Sequence, residues 1–200
     1  MILKVRPISQ SSEEIFIVLE NLSLEELWKL FPIYFVDCSA EFEKQFSDEK
    51  EYLISLLGNY IKRISHIGST AIKNIKTKPI VDILIEIDFA DKNIVKEILL
   101  NNNYILMYET FDKISFNKGY TANGYADKVF HIHIKKYGDC DELYFRDYLN
   151  DNDEKAKEYE KLKEELYNKY NPNRDLYTAG KGDFVKAVTE SARIKYENRY

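Results

Sequence analysis

"HIGSTAIKNIKTKPIVDILIEI", His66 to Ile87, is the stretch on which the reading of this chain turns. "RISHI", Arg63 to Ile67, leads into it as a strand, and "PIVDILIEI", Pro79 to Ile87, is a second and stronger one. Between them lie Gly68-Ser69-Thr70 and three cations, Lys73, Lys76 and Lys78. Glycine directly after a strand permits a tight turn and close backbone approach. The residues after it can open a helix whose free N–H groups and dipole favour a phosphate. Ser69 would add a hydroxyl donor, although Ser and Thr there also serve simply as helix caps. Asp82 stands inside the apolar strand, where a carboxylate is costly unless paired, hydrogen-bonded or bound to a cation.

Upstream, "ILKVRPI" reads as a short strand, followed by helical "SSEEIFIVLENL" and "SLEELWKLF". Ser23 with Glu26 three residues on makes a capping box, and Pro32 stops that helix. Phe42, Phe46, Leu53, Leu56 and Leu57 recur at helical spacing in "SAEFEKQFSDEKEYLISLLGNYI", which predicts one or two amphipathic helices.

Downstream, "DKNIVKEILLNNN" is a helix, and "YILMYET", "KISFNK" and "KVFHIHIKK" are strands. "YTANGYADK" joins the last two with the Asn-Gly chemistry of a hairpin loop. Together these elements predict an α+β domain, a mixed sheet with helices on one side. The last third is helical. "DELYFRDYLN" precedes "DNDEKAKEYEKLKEELYNKY", whose stripe is Ala156, Tyr159, Leu162, Leu166 and Tyr170, with Glu158 spaced for an i to i+3 pair with Lys161. "NPN" breaks it, and a final helix carries Phe184, Val185 and Val188. No linker divides the chain, so one domain is expected over 1–200: N-terminal helices to about 60, a sheet core over 61–137 and C-terminal helices from 138.

With 44% apolar, 14% aromatic and 32% charged residues, the 200-residue chain can bury a core. A net charge of −5 and a pI near 5.4 argue against a dedicated duplex binder, so no strong nucleic-acid signal exists. No apolar run reaches the eighteen or so residues of a membrane span, and "MILKVRPISQSSEE" lacks the parts of a secretory signal. A cytoplasmic protein with no membrane partner is expected. Cys38 and Cys140 lie far apart without CxxC spacing, so both read as free thiols.

His131 and His133, i and i+2 on a strand, project to one face. Imidazoles so placed can ligate a metal, move a proton or donate to phosphate, or can simply hydrogen-bond across the sheet. His66 faces either the site or the core, according to a register the sequence does not fix. Arg146, Lys161, Lys163 and Lys181 could reach an anion from the helical part; Arg146 beside Asp147 is equally suited to a surface ion pair. The tyrosines fall in helical stripes where packing explains them, and no base-binding role is assigned to them.

"HIGSTAI", "KPIVDILI", "HIHI", "FRDYLN", "YEKLKEEL" and "YTAGKGDFV" resemble successive blocks of the GrpB family, small proteins with a nucleotidyltransferase-like fold, and "SLEELWKLFPI" is similar to the leader of some members. The resemblance covers about Ser23 to Val188. It implies a nucleotidyltransferase-like mixed sheet with flanking N-terminal helices and a C-terminal helical subdomain, and a cleft between sheet and helices. The cleft floor would hold Asp82, His131 and His133, as catalytic groups and as ligands for a divalent metal (magnesium, manganese or zinc). Gly68, Ser69 and Lys78 would form its rim, with His66, Arg146 and Lys181 as further ligand contacts. The implied ligand is a nucleotide or another phosphorylated small molecule.

One departure bears on catalysis. Gly68 and Ser69 match the superfamily turn and Asp82 its first acid, but Leu84 occupies the place of the second. Glu86, four residues along the strand, would lie about 13 Å from Asp82, whereas paired catalytic metals sit about 4 Å apart. A non-catalytic module that assists or regulates a protein partner is therefore the alternative; similar domains occur fused to dephospho-CoA kinase. A transition-metal hydrolase built on the histidines is the third reading.

Overall fold

A computed structural model of the chain describes residue 19, residues 21–197 and residues 199–200. "ILKVRPI" and all but Leu19, Asn21 and Leu22 of "SSEEIFIVLENL" lie outside the described residues.

Helix α1, Leu24–Leu30, begins at the expected capping box: Ser23 N donates to Glu26 Oε2 (2.8 Å) and Glu26 N to Ser23 Oγ (3.3 Å). It ends at Phe31, before Pro32. The next amphipathic segment is one continuous helix, α2, Ala40–Leu57, burying Phe42, Phe46, Glu49, Leu53 and Leu57 at i+3 and i+4 steps. Beyond it the chain forms a five-stranded mixed sheet in the order β1-β2-β5-β4-β3, from Ile61–Ile67, Val81–Ile87, Ile105–Glu109, Lys113–Thr121 and Gly124–Lys136 in chain order β1 to β5. β2 pairs antiparallel with β1 and parallel with β5. The parallel pairing requires a long crossover, which runs through helix α3, Lys92–Leu100, and the β3–β4 hairpin. The β4–β5 hairpin turns over Ala122 and Asn123, and Gly124 takes the positive φ of 108°.

β2 is central and covered on both faces, which is why it reads as a nearly unbroken apolar run. Val81, Ile83, Ile85 and Ile87 join α2 and α3 in the main core. Asp82, Leu84 and Glu86 face the other way, as the period of two requires. Leu84 is buried there with Ile67, Cys140 and Leu143, the last from helix α4, Asp141–Asn150. Helices therefore lie on both faces, correcting the one-sided expectation: Leu84 and Ile67 make the second face apolar enough to need cover.

Helices α5 (Asp153–Tyr170), α6 (Arg174–Ala179) and α7 (Gly182–Tyr196) complete the C-terminal part. Phe145, Leu149, Ala156, Tyr159 and Val188 pack there on Ile72 and Ile75 of the β1–β2 connection. Asn150 fastens the same connection, accepting from Lys73 N (3.0 Å) and donating to Ala71 O (2.8 Å). On α5 the Glu158 carboxylate pairs backwards with Lys155 (2.7 Å), not with Lys161, which lies 3.8 Å from Glu165. Both spacings occur on that face, and the i−3 partner wins. Cys38 and Cys140 are free thiols. Among the described residues no helix is long and apolar enough to cross a membrane.

Candidate functional site

Register brings the site together. Ile67 lies opposite Asp82 on β2, and Asp82 is in register with His131 on the parallel β5. Asp82 Oδ1 lies 3.2 Å from His131 Nδ1 and 3.4 Å from His133 Nε2. His131 Nε2 is 2.9 Å from the Tyr120 hydroxyl. Burial pushes His131 below its ordinary pKa against the pull of Asp82, so the ring is neutral at pH 7. A neutral ring with Nδ1–H donating to Asp82 leaves Nε2 to accept from Tyr120 O–H. Burial would raise the Asp82 carboxyl, but the hydrogen bonds from His131 and His133 outweigh it and hold the group well below the usual carboxylate range. His133 Nδ1 is buried with no hydrogen-bond partner among the described residues.

The turn before β2 is shaped by its contact with Asp82. Gly68 has φ +69°, and a Cβ built there would overlap Asp82 Oδ2, Cγ and Cβ. The next three residues, Ser69–Ala71, make a single 3-10 turn and not the α-helix N-terminus that the turn sequence suggests. Ser69 Oγ is engaged by Thr77 Oγ1 at 2.5 Å. Ile72 is already extended (φ −105°, ψ 126°), and the docking of Ile72 and Ile75 on the C-terminal helices ends the helical geometry after one turn.

Above this floor is a cavity of about 450 Å³ between sheet and C-terminal helices, lined by Gly68, Ser69, Lys78, Asp82, His131 and His133 together with Arg174 and Lys181. Asp141 and Glu142 also reach it, but Asp141 pairs with Arg193 (2.6 Å) and Glu142 with Lys135 (3.0 Å). Lys78, Arg174 and Lys181 have no carboxylate partner among the described residues; the two lysine Nζ atoms lie 5.8 and 4.6 Å from the centroid of the Tyr177 ring. Burial first, then Lys181 and Arg174, push the Lys78 ammonium down to about 7. Burial also lowers Lys181.

Two expected contacts are elsewhere. His66 is opposite Ile83, on the core face, where it stacks on Phe46 and lies between Glu43 (3.2 Å) and Thr70 (2.9 Å). Burial lowers its pKa despite Glu43. Arg146 donates to His66 O (3.0 Å), Tyr200 Oη (3.2 Å) and Asp147, and does not line the cavity. Lys163 is buried with its Nζ on Lys76 O, and Lys161 is a surface residue. Sequence reasoning missed Arg174 and Tyr120. The available signal for Arg174 was Asn173, which caps a helix by accepting from Leu176 N (3.0 Å) and puts Arg174 one turn before Thr178.

The metal expectation does not fit the donor geometry. Among the described residues no three His, Cys, Asp or Glu side chains are grouped to hold an ion. Asp82 Oδ1 receives both imidazoles, and the second nitrogen of His131 is engaged by Tyr120. Glu86 cannot supply a further acid. It is fully buried, paired with Arg63 (2.7 Å to Nη2) and accepting from Gly138 N (3.1 Å).

Comparison with known proteins agrees with this architecture. The chain is similar to the glutamate-rich protein GrpB of Alkalihalophilus pseudofirmus, with 32% identity over 167 residues, 78% of this chain and 93% of that one. It is 31% identical to the UPF0157 protein YqkA of Bacillus subtilis over 86% of its own length, spanning 50% of that longer protein. The crystal structure of the conserved protein GrpB from Enterococcus faecalis superposes with a TM-score of 0.71 at 25% identity, covering 82% of this chain and 99% of that one. The family model described as GrpB protein matches residues 32–191, and the chain belongs to the GrpB family.

Proposed function

We propose that the protein binds a phosphorylated small molecule, a nucleotide foremost, in the cavity over Asp82. The observation that carries this reading is the trio Lys78, Arg174 and Lys181, three cations facing one space with no carboxylate in ion-pair contact among the described residues, the nearby Asp82 being already shared by two imidazoles. Holding like charges together in a partly desolvated space is unfavourable, and a polyanion removes that cost by supplying the missing partner. Arginine offers a planar pair of donors to phosphate, and the lysines supply rotatable point charges. The nucleotidyltransferase-like reading of the sheet draws support from the Gly68-Ser69 turn against Asp82 on adjacent strands.

We read the chemistry as that of one ionised carboxylate and two imidazoles. Asp82 would orient the rings, and the unpartnered His133 Nδ1 would accept or return a proton at the bound ligand. Leu84, fully buried at the place of a second acid, favours the alternative of a non-catalytic module that assists a partner. Isothermal titration of the full chain with tripolyphosphate and nucleoside triphosphates tests the reading. Binding that Lys181→Ala and Arg174→Ala each weaken about tenfold or more is expected. Absence of binding across that panel overturns it. Phosphate or pyrophosphate release that Asp82→Asn and His133→Gln abolish, with binding retained, would separate enzyme from module.

A further inference from the structure

The cavity over Asp82 does not end at His131. A second chamber of about 280 Å³ adjoins it, and His131, Arg174 and Thr178 line both. Their shared floor is one register row of the sheet: Ile67 opposite Asp82, Asp82 beside His131, His131 opposite Asn117, and Asn117 opposite Ile105. Residues in register on neighbouring strands share a face. At about 4.8 Å per strand, Asp82 and Ile105 are roughly 14 Å apart.

The chemistry changes along that row. At the Asp82 end are the three cations. At the other end the walls are apolar and aromatic, made by Leu24, Leu27, Trp28, Phe31 and Met107. Between them runs the chain Tyr120–His131–Asp82, roofed by Arg174, whose Nη2 is 3.5 Å from Tyr120 Oη. Asn117 is a polar residue on the floor of the second chamber, whose lip also carries Arg174, Asp175 and Thr178. It is only 6% exposed, and its side-chain amide makes no hydrogen bond among the described residues. Its amide atoms stay open to the chamber, and a ligand edge carrying a donor and an acceptor would take the place of water there.

We infer that the two chambers form one bipartite site for a nucleoside phosphate. The phosphates take the cationic chamber, and a planar heteroaromatic group enters the apolar chamber beside Trp28 with its polar edge on Asn117. This rests on the anion-binding reading of the first chamber and narrows it, since inorganic polyphosphates and sugar phosphates would leave the second chamber unused.

Trp28 is the sole tryptophan of the chain, so its emission reports on the second chamber alone. Titration of the full chain with ATP, tripolyphosphate and ribose 5-phosphate, followed by calorimetry and Trp28 fluorescence, is the test. ATP is expected to shift the Trp28 emission and to bind about tenfold tighter than tripolyphosphate, the gain of one enclosed aromatic ring. Tripolyphosphate should compete with ATP and leave the emission unchanged. Leu24→Gln alters a side chain that is 53% exposed at the chamber wall and so leaves the core intact. It should weaken ATP, not tripolyphosphate, and Asn117→Leu should do the same. Equal affinities with silent Trp28 overturn the bipartite site and leave the phosphate reading standing. Failure of all three ligands to bind overturns both.

Discussion

Lys78 makes the cavity's electrostatics measurable. Its ammonium is pushed down to about 7, from an ordinary 10.5, by burial and by Lys181 and Arg174. Between those two values the unfolded chain binds more protons than the folded one, so this group's penalty is full below about pH 7 and fades as pH rises towards 10.5. Ligand affinity should move the opposite way. A phosphate needs the charged form, so tripolyphosphate binding should weaken as pH climbs above 7, with proton uptake visible as a buffer-dependent heat. Lys78→Met should flatten that profile; an unchanged slope would remove Lys78 from the site. Gly68 gives a second residue-scale prediction. A methyl there meets the Asp82 carboxylate and a φ of +69°, so Gly68→Ala should cost about 1–3 kcal/mol in denaturant unfolding and displace Asp82. Both residues stand out in the sequence, but their contact does not, because it depends on how β1 registers on β2. His66 was ambiguous for the same reason: one residue of slip exchanges the faces.

Among the elements, α2 ties the sheet's core face to the rest. Leu53 is fully buried between Phe46 and the strands, and Leu53→Ala should cost about 2–5 kcal/mol in urea unfolding. Ser23→Ala at the exposed capping box should cost only about 1 kcal/mol by the same measurement. These elements were legible because their signals are local: a periodic apolar stripe, a cap and its reciprocal glutamate. Helix α6 was not. Six residues are too few to show a period or to hold a helix alone. It exists because Tyr177 is buried against Leu166 and Ile33, and it carries Arg174 into the site.

For the molecule as a whole, a ligand that bridges sheet and C-terminal helices stabilises every element that closes on it. Tripolyphosphate at a hundred times its Kd should add about 2.7 kcal/mol, which for a chain of this size raises Tm by roughly 5–10 °C. Lys181→Ala should lose most of that shift in a thermal melt while keeping the melting point of the free protein. The α+β class, the central strand with its lone aspartate, the Gly-Ser turn and the paired histidines were all legible in the linear chain, because hydrophobic period and turn chemistry are properties of neighbouring residues. Three features exist only in the folded chain: helices cover both faces, Asp82 receives two imidazoles through one oxygen, and Arg174 joins Lys181 over it from more than ninety residues along the chain. Register, side-chain direction and the meeting of distant cations are fixed by packing, which no local window of sequence contains.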